Sequence, residues 1–161
     1  MRLRRIDAET MEISDLDLLG CELLQQIVVS AQVDDHPVAQ ERLYSSPTEA
    51  HDPAFEEDWK NYVQPDLREL FRSAQEVVTK DLKNFPAEDS GDDHILLLPV
   101  EHLEDWIHCL NQARLALSAR FEFTEHDLEE PLPFHGDQRA LALFQVHFYG
   151  FLQECFLRQL D

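Results

Sequence analysis

The sequence predicts a mainly α-helical fold: a single-domain bundle of about five helices with a small three-stranded sheet built on an N-terminal β-hairpin. Three observations carry this. Only 4 Gly and 8 Pro occur among 161 residues, so long stretches run without the residues that punctuate sheet-rich folds. Apolar residues recur at helical spacing, as in Leu103, Ile107, Leu110, Leu117 and Phe121. The hydrophobic share of 43% is enough for a sizeable core in a chain of this length.

The chain divides into a hairpin (1–13), a first helical half (14–84), an acidic loop with a short strand (85–98) and a second helical half (99–161). Leu3 and Ile6, then Met11 and Ile13, flank the polar stretch Asp7 to Thr10 and read as two short strands. Two strands alone are marginal, and His94 to Leu98 supplies a third. Ser14 followed by Asp17 resembles an N-cap with an acidic first turn, opening a helix to about Val33. Asp34, Asp35 and Pro37 close that helix, and a short one follows from Val38 to Tyr44. Asp52-Pro53 is an N-cap and first-turn pair for a helix carrying Phe55, Trp59 and Tyr62. Pro65 kinks or restarts it, and Leu67, Leu70, Phe71, Ala74, Val77 and Val78 continue the pattern to about Asn84.

Pro86 to Asp93 reads as a charged loop. Pro99 opens a helix ending near Phe121, and Thr124 with Asp127 has capping-box spacing. Pro131 and Pro133 break the chain before a final helix over Asp137 to Leu160. That helix is apolar on two sides. Leu141, Phe144, Phe148, Phe151, Leu152 and Cys155 form the main face, and Leu143, Val146, Gly150 and Leu157 form a narrower one opposite. A helix apolar all round sits centrally in a bundle or is shared with a second copy. A central position is the expectation, with a homodimer through the narrower stripe as the alternative.

The net charge is −20, from 33 acidic against 13 basic side chains. Such a field repels nucleic acid and anionic membranes. The basic cluster Arg2, Arg4 and Arg5 reads as a guard on a short strand. Cys21, Cys109 and Cys155 are odd in number and widely spaced, as in a reduced, cytoplasmic protein. The most apolar stretch is interrupted by Gln145, His147, Gln153 and Glu154, which argues against a membrane span.

Little in the sequence points to chemistry. Glu101, Glu104 and His108 share a polar face with Asp105, a weak candidate for a surface metal. One Asp-x-x-His with no second copy does not make a di-iron bundle site, and no cofactor is expected. His147, Glu154 and Arg158 share an edge of the last helix, where Glu154 and Arg158 have ion-pair spacing. No phosphate loop, nucleophile elbow or HExxH motif occurs, so the reading leans away from an enzyme.

Arg114 is the exception. It falls inside the stripe made by Leu103, Ile107, Leu110, Leu117 and Phe121, where a guanidinium must snorkel out or meet a carboxylate. Asn111 and Arg120 lie on edges of the same face, and Asp66, Asp58 and Glu154 are candidate partners. Loss of the arginine from a buried carboxylate would cost about 3–5 kcal/mol.

The run Trp106-x3-Leu110-Asn111-x2-Arg114-Leu115-x-Leu117-x2-Arg120, followed by Thr124-Glu125, resembles a bacterial family catalogued as domain of unknown function two-zero-one-seven. Pro65-Asp66-Leu67-Arg68 and Gly150-Phe151-Leu152-Gln153-Glu154 extend the likeness, with Phe151 where the family commonly has Trp. The resemblance implies a compact, mostly helical cytosolic protein, whose gene often lies beside that of a protease adaptor. It brings no activity and no catalytic residue. The matching positions Trp106, Asn111, Arg114, Arg120, Gln153 and Glu154 become a candidate polar core or ligand groove. The leading expectation is therefore a cytoplasmic protein-interaction or adaptor role using an acidic surface, beside regulated proteolysis. The alternative is a small-molecule anion site around Arg114.

Overall fold

Arg2–Arg5 (β1) and Thr10–Leu16 (β2) form the hairpin, and His94–Pro99 (β3) pairs antiparallel with β2, giving the order β1-β2-β3 in this computed structural model. The structure describes residues 1–47, 52–83, 85, 94–129 and 136–160; the expected acidic loop and the Pro131–Pro133 break lie outside them. Alternation does the sorting. Met11, Ile13, Leu96 and Leu98 point inward and are buried, while Glu12 faces outward under Arg4, whose Nε donates to Glu12 Oε1 at 2.7 Å. Between the pairs Ile13–Leu96 and Leu16–His94, β2 carries one extra residue, a bulge with Asp15 at φ 53°. The bulge prolongs the strand past Ser14, so the helix N-cap is Asp17, which accepts from the Gly20 N–H at 2.7 Å, and not Ser14.

The expected first helix is two, Leu18–Gln25 (α1) and Ile27–Ala31 (α2), interrupted at Gln26. Pro37–Tyr44 (α3) is capped by His36, and Pro53–Asp58 (α4) by Asp52, which accepts from the Ala54 and Phe55 N–H groups. A π-helical turn over Trp59–Val63 leads into Gln64–Leu82 (α5). Pro65 is accommodated in the first turn of α5, where its missing N–H is not required. The indole of Trp59 and the amide of Gln64 both donate to the Tyr44 carbonyl, locking this turn onto α3.

A 3₁₀ turn, Val100–His102, precedes Leu103–Arg120 (α6). After α6, Phe121 caps the helix and Glu122 takes φ 51°; the Phe123 N–H returns to the Ser118 carbonyl at 3.0 Å, closing a Schellman-type stop. Glu125–Glu129 (α7) has the expected capping box. Asp127 accepts from the Thr124 N–H and hydroxyl and from Arg139, and these donors hold its carboxyl at about 2. The chain ends in Gln138–Leu160 (α8).

The central helix is α6, not the last helix. It packs against α2, α3, α5 and α8, and Ala113, Ala116 and Ala119 let those neighbours approach closely. The main core joins the inner face of the sheet to Leu24, Ile27, Trp106, Tyr149 and Phe156, and a smaller cluster gathers Val33, Ala39 and Leu43 against Ala116 and Ala119. Helix α8 runs antiparallel to α6: the Trp106 ring meets Phe156 edge-on at 5.9 Å, and Arg139 at the other end reaches the Phe121 carbonyl. The Tyr149 hydroxyl donates to the Leu23 carbonyl at 3.0 Å, tying α8 to α1. Leu143 and Val146 are buried in this packing at 6% and 4% exposure, which removes them from the stripe offered to a homodimer as the alternative.

Candidate functional site

Arg114 lies half-buried on the α8 side of α6 and makes a different bond from the one its position suggested. Its Nη1 donates to the Gln153 Oε1 at 2.7 Å, so the partner is a neutral amide and not a carboxylate. The guanidinium crosses Gly150: a Cβ at that position would sit 3.2 Å from Nε and 3.3 Å from Cζ. These contacts are tighter than ordinary van der Waals packing, so the bare glycine lets the side chain lie this flat against the helix without shifting. Nε is buried and has no acceptor among the described residues, and the buried Nε2 of His147, one turn earlier on α8, has no hydrogen-bond partner among them either.

The remaining members of the expected cluster are elsewhere. Arg120 turns to the end of α2, where it donates to the Ser30 and Gln32 carbonyls, with Asp35 at 3.8 Å. A guanidinium there satisfies free carbonyls and complements the helix dipole. Asn111 and Asp66 are exposed, and Glu154 is an exposed partner of Arg158. Of the expected set, Arg114 and Gln153 alone come together.

A second polar centre went unnoticed in the sequence. Asp81 on α5 has a side chain only 9% exposed. It accepts from the Trp106 indole N–H at 2.8 Å and from His102 Nδ1 at 3.0 Å. The signal was available: Asp81 falls on the apolar stripe of Leu67, Phe71, Ala74, Val78 and Leu82, as Arg114 falls on its own. A buried tryptophan also needs an acceptor for its N–H.

The weak candidate for a surface metal, Glu101, Glu104 and His108, is not aligned on one helix face. Glu101 lies on the 3₁₀ turn, so helical spacing does not align it with Glu104 and His108. Among the described residues no group of three or more metal-ligating side chains could hold an ion. Burial pushes the Cys109 thiol up to about 12 and raises Cys21 and Cys155 as well, so these thiols stay protonated and unreactive at neutral pH.

The outer side of α8 is the third feature. Leu141, Phe144, Phe148 and Phe151 follow one another at intervals of three, four and three residues, with Leu141 50% and Phe151 55% exposed. Of the face expected to be the main core face, Leu152 is buried and Phe148 packs against the core, while Leu141 and Phe151 are exposed. The packed side of α8 is centred on Ala142, Val146, Tyr149, Leu152 and Phe156, which leaves Leu141 and Phe151 outside it. Phe144 and Phe148 also line an open groove of about 220 Å³ with Leu19, Leu23, Asp15 and Asp17. Among the described residues, no helix is long and apolar enough to cross a membrane.

Comparison with known proteins agrees with the sequence resemblance. No curated protein and no solved structure gives a significant match. The family model for the domain of unknown function DUF2017 matches residues 7–160, the span that carries α6, both polar centres and the α8 ridge. The chain therefore belongs to the DUF2017 family.

Proposed function

We propose that this protein is a non-enzymatic interaction module and that its docking face is the outer ridge of α8 with the adjoining groove at the start of α1. The observation that carries this is the ridge itself. Leu141 and Phe151 stand exposed, with Phe144 and Phe148 partly exposed between them in helical register, on a chain carrying −20, where solubility favours polar groups. Phe148 packs against the core, but Leu141 and Phe151 lie outside it. An adaptor in regulated proteolysis is one form such a role takes, in a cytoplasmic setting.

A photo-crosslinking residue placed at Phe151, compared with the same residue at exposed Thr79 on α5, tests the reading in intact cells. A discrete adduct at position 151 and none at 79 is the expected result. Equal labelling at both positions overturns it.

A second reading rests on Arg114, whose positive charge meets no carboxylate among the described residues. A small anion would complete the donor set that Gln153 leaves open. In that case an anion screen finds a ligand that raises the melting temperature of the native protein but not of Arg114→Met.

A further inference from the structure

We infer that the outer edge of β3 is a pairing surface for a second copy of this chain, joining two three-stranded sheets into one about a twofold axis at Leu96. The inference is independent of the α8 ridge and starts from how β3 is bonded. The Val100 N–H donates to the Glu9 carbonyl at 2.8 Å, and the register continues with Leu98 opposite Met11 and Leu96 opposite Ile13. Bonded pairs alternate along an antiparallel ladder, so Leu98 and Leu96 turn their backbone groups to β2. Those of Ile95 and Leu97 then point away from it, at the end of the strand order, and among the described residues no backbone group bonds to them. The two edges of the sheet also differ in sequence. β1 carries Arg2, Arg4 and Arg5, charges that discourage further pairing. From Ile95 to Val100 there is no charged residue, and Ile95 and Leu97 stand 49% and 54% exposed on the outer face.

A second β3 answers each of these features. With the two strands antiparallel about Leu96, Ile95 lies opposite the partner's Leu97, and each such pair exchanges two N–H to carbonyl bonds. The outward N–H and C=O groups of Ile95 and Leu97 are then all used. The exposed side chains at the same two positions pack against each other on the outer face. Centring the pair on Leu97 would instead set Ile95 against Pro99, which has no N–H to donate. The acidity of the chain does not extend to this sheet, whose strands hold Arg2, Arg4 and Arg5 against Glu12 and Asp15. Repulsion between two chains of −20 acts at longer range, so added salt tightens the pairing. A single strand pair is a small interface, and the association belongs in the micromolar range.

Sedimentation of the full chain over about 5–500 µM is expected to show a monomer–dimer equilibrium that tightens from low to high salt. In hydrogen exchange followed by NMR, the Ile95 and Leu97 amides are expected to slow by about fivefold from the dilute to the concentrated end, while Leu96 and Leu98 stay protected throughout. Leu97→Lys sets a charge against the partner's Ile95 and is expected to abolish the dimer, with the melting temperature of the dilute chain unchanged because the position is exposed. Ile6→Lys, the same kind of change at an exposed residue beside β1, is expected to leave the dimer intact. A chain that stays monomeric at the highest concentration overturns the inference. So does protection of both amides in the dilute monomer, which would put another part of the chain on this edge. A dimer that survives Leu97→Lys and is lost in Leu141→Gln with Phe151→Gln would lie on α8, and overturns it as well.

Discussion

Helix α6 carries two polar centres eight residues apart, about 12 Å along one helix, and they are compensated in opposite ways. At Trp106 the buried acceptor is a carboxylate, and Asp81 answers both the indole N–H and the His102 ring. At Arg114 the cation meets an amide, with Nε left over. In the first centre each buried donor has a partner, and its loss would leave a tryptophan N–H stranded in the core. In the second, the uncompensated group is the charge itself, half-exposed and able to reach water. A closed centre holds the fold together; an open one retains capacity to bind something else.

The largest effect that separates the two comes from Asp81. Asp81→Ala leaves the Trp106 N–H buried without an acceptor and is expected to cost about 2–3 kcal/mol in chemical denaturation. Asp81→Asn keeps an oxygen for the indole and is expected to recover more than half of that. If Asn is as damaging as Ala, the negative charge and not the acceptor is what matters, and the contrast between the centres becomes one of charge alone.

The converse change is Gln153→Glu, which gives the second centre the carboxylate it lacks. A charge-assisted bond to a half-exposed guanidinium is worth up to about 1 kcal/mol, so the variant is expected to gain stability, with the gain shrinking at high salt. A loss instead would mean that Arg114 is already balanced, and the anion reading of that site would go with it.

Much of this architecture was legible in local signals, because capping and alternation act over a few residues. The Asp52-Pro53 start, the Thr124–Asp127 box, the third strand and the position of Arg114 on an apolar stripe all depend on near neighbours. What was not legible depends on which elements meet. Ser14 lost its role as a cap because pairing with β3 carried β2 on through the bulge to Leu16. The two apolar faces of α8 could not be ranked from spacing, since α6 decides which is buried. Gln153 was named as a site residue, but no periodicity reveals that an arginine 39 positions earlier prefers it to the neighbouring Glu154. Asp81 was missed although it breaks its stripe as visibly as Arg114, because an acid near a helix end reads as surface.

The smallest and most specific test concerns Gly150. A glycine inside a long helix forgoes about 0.5–1 kcal/mol relative to alanine, so Gly150→Ala in isolation would be stabilising. Here the added Cβ would stand 3.2 Å from Arg114 Nε, and the guanidinium would have to shift by a few tenths of an ångström, loosening its bond to Gln153. The two effects oppose, and the single variant is expected to be close to neutral. In an Arg114→Ala background nothing opposes the helix gain, and the same substitution is expected to stabilise by about 0.5–1 kcal/mol. Arg114→Ala by itself is expected to cost about 1 kcal/mol, chiefly lost packing across Gly150, well below the cost of stranding a buried carboxylate. The coupling in this double-mutant cycle therefore measures the guanidinium against the bare glycine directly. A cycle with no coupling would place the side chain away from Gly150 in solution, and the open centre on α6 would then be a surface arginine with no more claim to a ligand than its exposed neighbours.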